Sequence, residues 1–174
     1  MSIADVLSTL ESSGIAERIR ESLYLFPLIE SVHVIGLTMV FGTIAIVDLR
    51  LLGIASTRRS FKRVAADVLK WTWSAFALTV ATGFLMFITN AAVYYHNSFF
   101  RTKMMFLVAV GTLIAAVFQI SLKRNEHYWE KSIHRWSVKS LAIFTFLIWV
   151  GIIILGRLIA YDNVWGSWSL SPKA

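Results

Sequence analysis

Residues 140–156 read SLAIFTFLIWVGIIILG, an uncharged run whose aliphatic and aromatic side chains leave no polar face. A helix rises about 1.5 Å per residue, so a run of this length crosses most of the roughly 30 Å hydrocarbon layer of a bilayer. Three more uncharged stretches precede it: Ser31 to Val47, Trp71 to Phe100, and Met104 to Leu122. The whole chain of 174 residues is 57% hydrophobic and 16% charged, with a mean hydropathy of +0.66, which excludes an ordinary soluble domain of this size. These runs predict an all-α polytopic membrane protein: a four-helix up-and-down transmembrane bundle over residues 24–163, with spans at about 27–52, 71–95, 101–122 and 138–161.

Residues 1–23 differ in kind. Ile3, Val6, Leu7 and Leu10 form one apolar stripe behind a capping Ser2, Ser12-Ser13-Gly14 interrupts it, and Ile15, Ile19 and Leu23 continue it. This pattern predicts an amphipathic helix lying in the membrane interface. Glu11, Glu17, Arg18, Arg20 and Glu21 stand before the first apolar run, so no cleavable leader is expected. Pro27 sits where a first helical turn needs no N–H, and Gly53 marks the expected end of the first span. Residues 164–174 are read as a short tail.

Charge placement sets the expected orientation. Arg58, Arg59, Lys62, Arg63 and Lys70 follow the first span, and Lys123, Arg124, Lys131, Arg135 and Lys139 follow the third. The opposite side holds Arg18, Arg20, Arg101, Lys103, Arg157 and Lys173. Ten against six places the two basic loops in the cytoplasm and both termini outside, in a bacterial inner membrane. Trp71, Trp73, Trp129 and Trp136 on one border, and Tyr94, Tyr95, Tyr161, Trp165 and Trp168 on the other, match an aromatic belt. The net charge of +7 is therefore a topology signal, and the expected partners are lipid, a further copy of the chain or a membrane complex, with no nucleic acid.

The chain has no cysteine, which excludes disulfides, thiolate metal sites and thiol catalysis. Histidine is left as the nitrogen ligand. Glu30 and His33 lie three residues apart on one face of the first span, in its outer third. Ionisable groups at that depth face protein or water. His33 is a candidate haem-iron ligand, or a proton-carrying group paired with Glu30; packing as a satisfied core histidine is the alternative.

Arg157 falls at a similar depth, so an ion pair with Glu30 is expected. Arg157, Arg101 and Lys103 are candidate partners for haem propionates or a quinone oxygen. His96 and Tyr161 belong to the same outer end, although His96 is nearer the border. His127 and His134 fall on the opposite face, and Asp48 with Arg50 marks the cytoplasmic end of the first span. No P-loop, dinucleotide fingerprint, nucleophile elbow or HExxH is present.

The segments SLYLFPLIESVHVIGL (22–37), DLRLLG (48–53), FFRTKM (99–104) and WVGIIILGRLIAY (149–161) resemble a bacterial family of four-helix membrane proteins known as a domain of unknown function. The resemblance implies the fold class and rests on His33, Asp48, Arg50, Arg101, Lys103, Arg157 and Tyr161. That family often carries a histidine near the end of the third span, where this chain has Gln119, so no role of that histidine carries over. A histidine early in the first span is also similar, at a greater distance, to membrane proteins of the copper-resistance and protoporphyrinogen-oxidase type.

Three functions follow from these residues. The first is a haem-binding or quinone-reactive electron-transfer subunit, with haem b or quinone held at His33. A non-catalytic membrane subunit or anchor of a larger complex is the second. The third is a small metal or ion permease using Glu30, His33 and Asp48.

Overall fold

A computed structural model describes residues 2–55, 61–108 and 136–169, with the side chains of residues 62 and 162–169 left aside. Seven helices run through the described residues: α1 Ile3–Glu11, α2 Gly14–Glu21, α3 Leu25–Leu51, α4 Phe61–Thr89, α5 Ala91–His96, α6 Ser98–Phe106 and α7 Trp136–Ser169. Three stretches are long and apolar enough to cross a membrane: Leu25–Leu51, Arg63–Thr89 and Trp136–Tyr161. The expected third span begins as α6, and from residue 109 onward it lies outside the described residues, as do His127, His134 and Gln119.

Local chemistry sets the helix ends. Ser2 caps α1 in a capping box, its hydroxyl accepting from the Asp5 N–H while the Asp5 carboxylate accepts from the Ser2 N–H. That amide and hydroxyl hold the Asp5 carboxyl below the ordinary carboxylate range. Pro27 falls in the first turn of α3, where it displaces no helical hydrogen bond. At the other end Gly53 takes φ +78°, the left-handed region open to glycine. The Gly53 N–H then donates to Arg50 and the Ile54 N–H to Leu49, which closes a Schellman motif and satisfies two terminal carbonyls.

α3 and α4 pack antiparallel in a regular register. His33 meets Thr82, Gly36 meets Thr79, and Thr43 meets Thr72, so each step along α3 is matched by an equal step back along α4. Both helices present residues at intervals of three and four, the spacing that keeps one face in contact. Gly36 makes the approach close: a Cβ built there would lie 2.6 Å from Thr79 Oγ1. Threonine suits this seam because a hydroxyl can bond the carbonyl one turn back within its own helix, as Thr79 does to Ala75 and Thr82 to Leu78, or donate across the seam, as Thr72 does to Thr43 at 2.9 Å. The threonine hydroxyls at this seam thus keep a partner in hydrocarbon.

α7 closes the bundle. Val40, Ala75, Trp149 and Ile152 form the central core, with Leu107 packed against it, and Leu51, Phe61, Ala65, Val138 and Ala142 form a second core toward one end. At the opposite end Phe87, Tyr94 and Phe100 stack, with Phe87 and Phe100 centroids 5.5 Å apart at 12°. The outward faces stay apolar and uncovered, as Val34, Ile35, Phe84, Phe144 and Leu147 show, which fits a lipid-facing surface.

Several expectations need correction. α4 starts at Phe61, ten residues before the predicted span, and the helix breaks at Asn90 instead of continuing to Tyr95. Asn90 adopts φ −149° and ψ 55°, outside helical space, and α5 restarts beyond it. α7 continues as helix to Ser169, into the segment read as a tail.

The N-terminal segment is two short helices that bury Leu7, Ala16 and Ile19 against the bundle. They are stitched to the α4–α5 break: Arg20 donates to Thr89 O at 2.9 Å, and the Ala92 N–H donates to Glu11 Oε1 at 2.9 Å. A cation thus meets the carbonyl end of α4 and an anion the amide end of α5, as helix dipoles favour.

Candidate functional site

His33 lies eight residues into α3, about 12 Å along the helix from its start. Its ring is half-buried at the α3–α4 seam, with Nδ1 3.0 Å from Thr82 Oγ1. A Cβ built at Gly83 would lie 3.0 Å from the His33 Cε1 and 3.5 Å from Nδ1, so glycine is what lets the imidazole lie against α4. The packing fixes the ring plane as well as its hydrogen bond.

Lys103 approaches from the other side of the bundle. α6 starts at a buried Asn97, whose Oδ1 accepts from the Phe100 N–H at 2.9 Å and whose Nδ2 donates to Ile159 O of α7 at 3.5 Å. This cap anchors α6 to α7 and aims Lys103 inward. A Cβ at Gly156 would stand 3.3 Å from Lys103 Nζ, so the ammonium runs alongside bare α7 backbone. Its charge acts on the His33 ring. Among the described residues no acceptor bonds Nζ, which leaves a partly desolvated cation able to take an oxygen ligand.

His33 thus meets Thr82 and Gly83 where α3 packs on α4, and Lys103 meets Gly156 where α6 packs on α7, with the Lys103 charge acting on the ring between the two seams. Of the residues expected at one site, only these two are turned into the helix packing. Glu30, Arg101, Arg157 and Tyr161 are exposed, and no ion pair joins Glu30 to Arg157 among the described residues. His96 is exposed on α5, its Nδ1 bonded to Ala92 O at 2.8 Å and its ring edge-on to Tyr95. No group of three or more metal-ligating side chains occurs among the described residues.

At the far end of α3 a second polar point appears. Asp48 is buried, and its Oδ1 accepts from Thr145 Oγ1 of α7 at 2.9 Å, while Oδ2 has no donor among the described residues. Arg50 is buried as well. The pair expected to mark a solvated helix end is instead built into the helix packing. Thr82, Gly83, Asn97 and Thr145 were not expected as polar-site residues. Their signal was available as Thr72, Thr79 and Thr82 on one face of an otherwise apolar helix, but threonine in a span also reads as ordinary packing.

Three helices long and apolar enough to cross a membrane, packed against one another among the described residues, define a multi-pass helical membrane protein. The chain belongs to the family described as Family of unknown function (DUF6644), which matches residues 19–162. No curated protein and no solved structure matches it.

Proposed function

We propose that this protein is a membrane subunit that binds a lipid-soluble, polar-headed redox ligand of the quinone class between His33 and Lys103. The observation that carries the reading is a Lys103 ammonium held against bare α7 backbone at Gly156 and bonded to no acceptor among the described residues, in the same bundle as a half-buried His33 imidazole on which its charge acts. A quinone head fits this donor set. Its ring is apolar, and an oxygen can accept from the ammonium while the tail stays in lipid. When bound, such a group supplies electron and proton chemistry; His33 and Lys103 supply a hydrogen-bond partner and a fixed positive charge.

Haem fits less well. His96 is turned to Ala92 and Tyr95 at the exposed end, so no second imidazole comes with His33, and the charge of Lys103 opposes a metal cation at the ring. A cation permease meets the same objection. The site belongs to the half of the bundle that the basic loops leave outside, the orientation proposed for a bacterial inner membrane. The α1–α2 pair is proposed to rest in the outer interface, with Ile3, Ile15, Leu23 and Tyr24 exposed toward the headgroups.

The test is to purify the protein in mild detergent and analyse its organic extract alongside its reduced-minus-oxidised spectrum. Quinone that co-purifies with wild type and is lost in His33→Gln and Lys103→Gln supports the reading. A b-type haem spectrum lost in His33→Gln replaces it with the haem reading, and a colourless, quinone-free protein leaves a structural subunit. Because the chain lacks cysteine, Ile54→Cys and Ser98→Cys report orientation with an impermeant maleimide: Ser98→Cys labels from outside and Ile54→Cys does not.

A further inference from the structure

We infer that α1 and α2 act as a strap: Glu11 and Arg20 hold α4 and α5 apart at Asn90, and in doing so they set where α6 meets α7. The strap goes beyond the quinone reading and does not depend on it, since it involves neither His33 nor Lys103.

Nothing in the sequence between Gly83 and Asn97 stops a helix. The stretch FLMFITNAAVYYH (84–96) holds neither glycine nor proline, and it is helical on both sides of Asn90, over Phe61–Thr89 and Ala91–His96. Asparagine costs a helix interior far less than glycine or proline does. Yet the bonds that a continuous helix makes across this point, Ala91 N–H to Phe87 O, Ala92 N–H to Ile88 O and Val93 N–H to Thr89 O, are not made. Phe87 O instead accepts from the Asn90 N–H at 3.2 Å, and the ladder resumes with the Tyr94 N–H donating to Asn90 O at 3.1 Å. Backbone groups freed in this way in a membrane protein need other partners.

The N-terminal helices supply two of those partners. Thr89 O accepts from Arg20 Nη1 at 2.9 Å, and the Ala92 N–H donates to Glu11 Oε1 at 2.9 Å. Arg20 Nη2 also donates to Glu11 O at 3.0 Å, so one guanidinium joins the end of α1 to the end of α4. The Thr89 and Ala92 bonds engage charged side chains, the stronger kind, and both are lost if α4 and α5 fuse, because the fused helix takes those backbone groups for itself. Packing seats the strap: α1 lies against α4 and α5, α2 against α3 and α4, and Ile88, Thr89 and Ala91 are buried around the break. With the strap gone, Thr89 O and the Ala92 N–H regain partners by closing the helix over Asn90, and two flanking helices make that closure without a new nucleus. The effect carries on along the chain. α5 ends at Asn97, which caps α6 and bonds Ile159 O of α7, so redirecting α5 draws Asn97 off that contact.

Asparagine occurs at positions 90, 97, 125 and 163 alone, so the test is a ¹³C and ¹⁵N spectrum of asparagine-labelled full-length protein in mild detergent. The Asn90 and Asn97 signals are those lost in Asn90→Gln and Asn97→Gln. Wild type should show the Asn90 Cα at a non-helical shift. Glu11→Ala combined with Arg20→Ala should move it to the helical position and displace the Asn97 signals, while exchange protection of the α3 amides around Val40 stays as in wild type. A non-helical Asn90 in that variant with α3 still protected overturns the inference, because the break then belongs to residues 84–96 themselves. A helical Asn90 in wild type overturns it as well, and Asn97 signals that stay put while Asn90 turns helical overturn the link to α6. If the double variant loses α3 protection, the milder Glu11→Gln and Arg20→Lys decide: each should move the Asn90 Cα part of the way to the helical position, and no movement in either overturns the strap.

Discussion

Replacing Gly36 with alanine tests the helix register on which the site depends. The new Cβ would stand 2.6 Å from Thr79 Oγ1 and 3.5 Å from Ala75 O. Ordinary contact begins at 3.4 Å, so the hydroxyl or the helices must yield 0.8 Å. Thr79 has little freedom to turn away, because its hydroxyl is tied at 2.8 Å to Ala75 O and other rotamers face the same seam. Forcing one methyl into a close-packed contact costs about 1–3 kcal/mol, so Gly36→Ala should lose that much in reversible unfolding in mixed micelles followed by helical circular dichroism. The His33–Thr82 contact is one turn away, so quinone binding should weaken in the same variant. Gly36→Ala with Thr79→Ala removes the opposing oxygen and should recover most of the loss. Unchanged stability in the single variant, or no recovery in the double one, would show that α3 and α4 do not meet in this register.

Other substitutions probe the remaining polar contacts. Thr145→Val strips the hydroxyl donor from the buried Asp48 carboxyl and should cost about 1–3 kcal/mol in the same assay, while Thr145→Ser should stay near wild type. Thr72→Val removes one hydroxyl bond between α3 and α4 and should cost only about 0.6 kcal/mol, the usual worth of such bonds between membrane helices. Asn97→Ala should cost about 1–2 kcal/mol through loss of the α6 cap, and it should release Lys103, seen as weaker ligand binding. The Asp5 carboxyl sits below its unfolded value of 3.8, so its support for α1 is present above that value and is lost as pH falls through the lower folded one. Protection of the α1 amides, taken relative to their intrinsic exchange rates, should fall across that acid range in wild type and show no such step in Asp5→Asn.

Much of the architecture is legible without coordinates. The uncharged runs that become α3, α4 and α7 are long because hydrocarbon tolerates neither exposed backbone nor unpaired charge, and this constraint acts on each segment separately. Ser2, Pro27 and Gly53 likewise act locally, through a cap, a missing N–H and a left-handed turn, so the start of α1 and both ends of α3 fall where the sequence places them. His33 stands out for the same reason, as a costly side chain within an apolar run.

What surrounds His33 is another matter. Lys103 and Arg101 are two residues apart and read alike in the sequence, yet Lys103 lies against Gly156 of α7 while Arg101 is exposed, because Asn97 bonds Ile159 and fixes how α6 turns against α7. By spacing Glu30 is the natural partner of His33, yet it is exposed and no hydrogen bond joins the two among the described residues. Thr82 and Gly83 gain meaning only when the antiparallel register sets them opposite His33, and a glycine one turn away is what lets the helices approach that closely. Membrane insertion is decided segment by segment by transfer from water to lipid, so the sequence alone determines it. The site is decided by which faces of four helices meet, and those contacts join residues as far apart as Asn97 and Ile159, so only the tertiary structure could assign them.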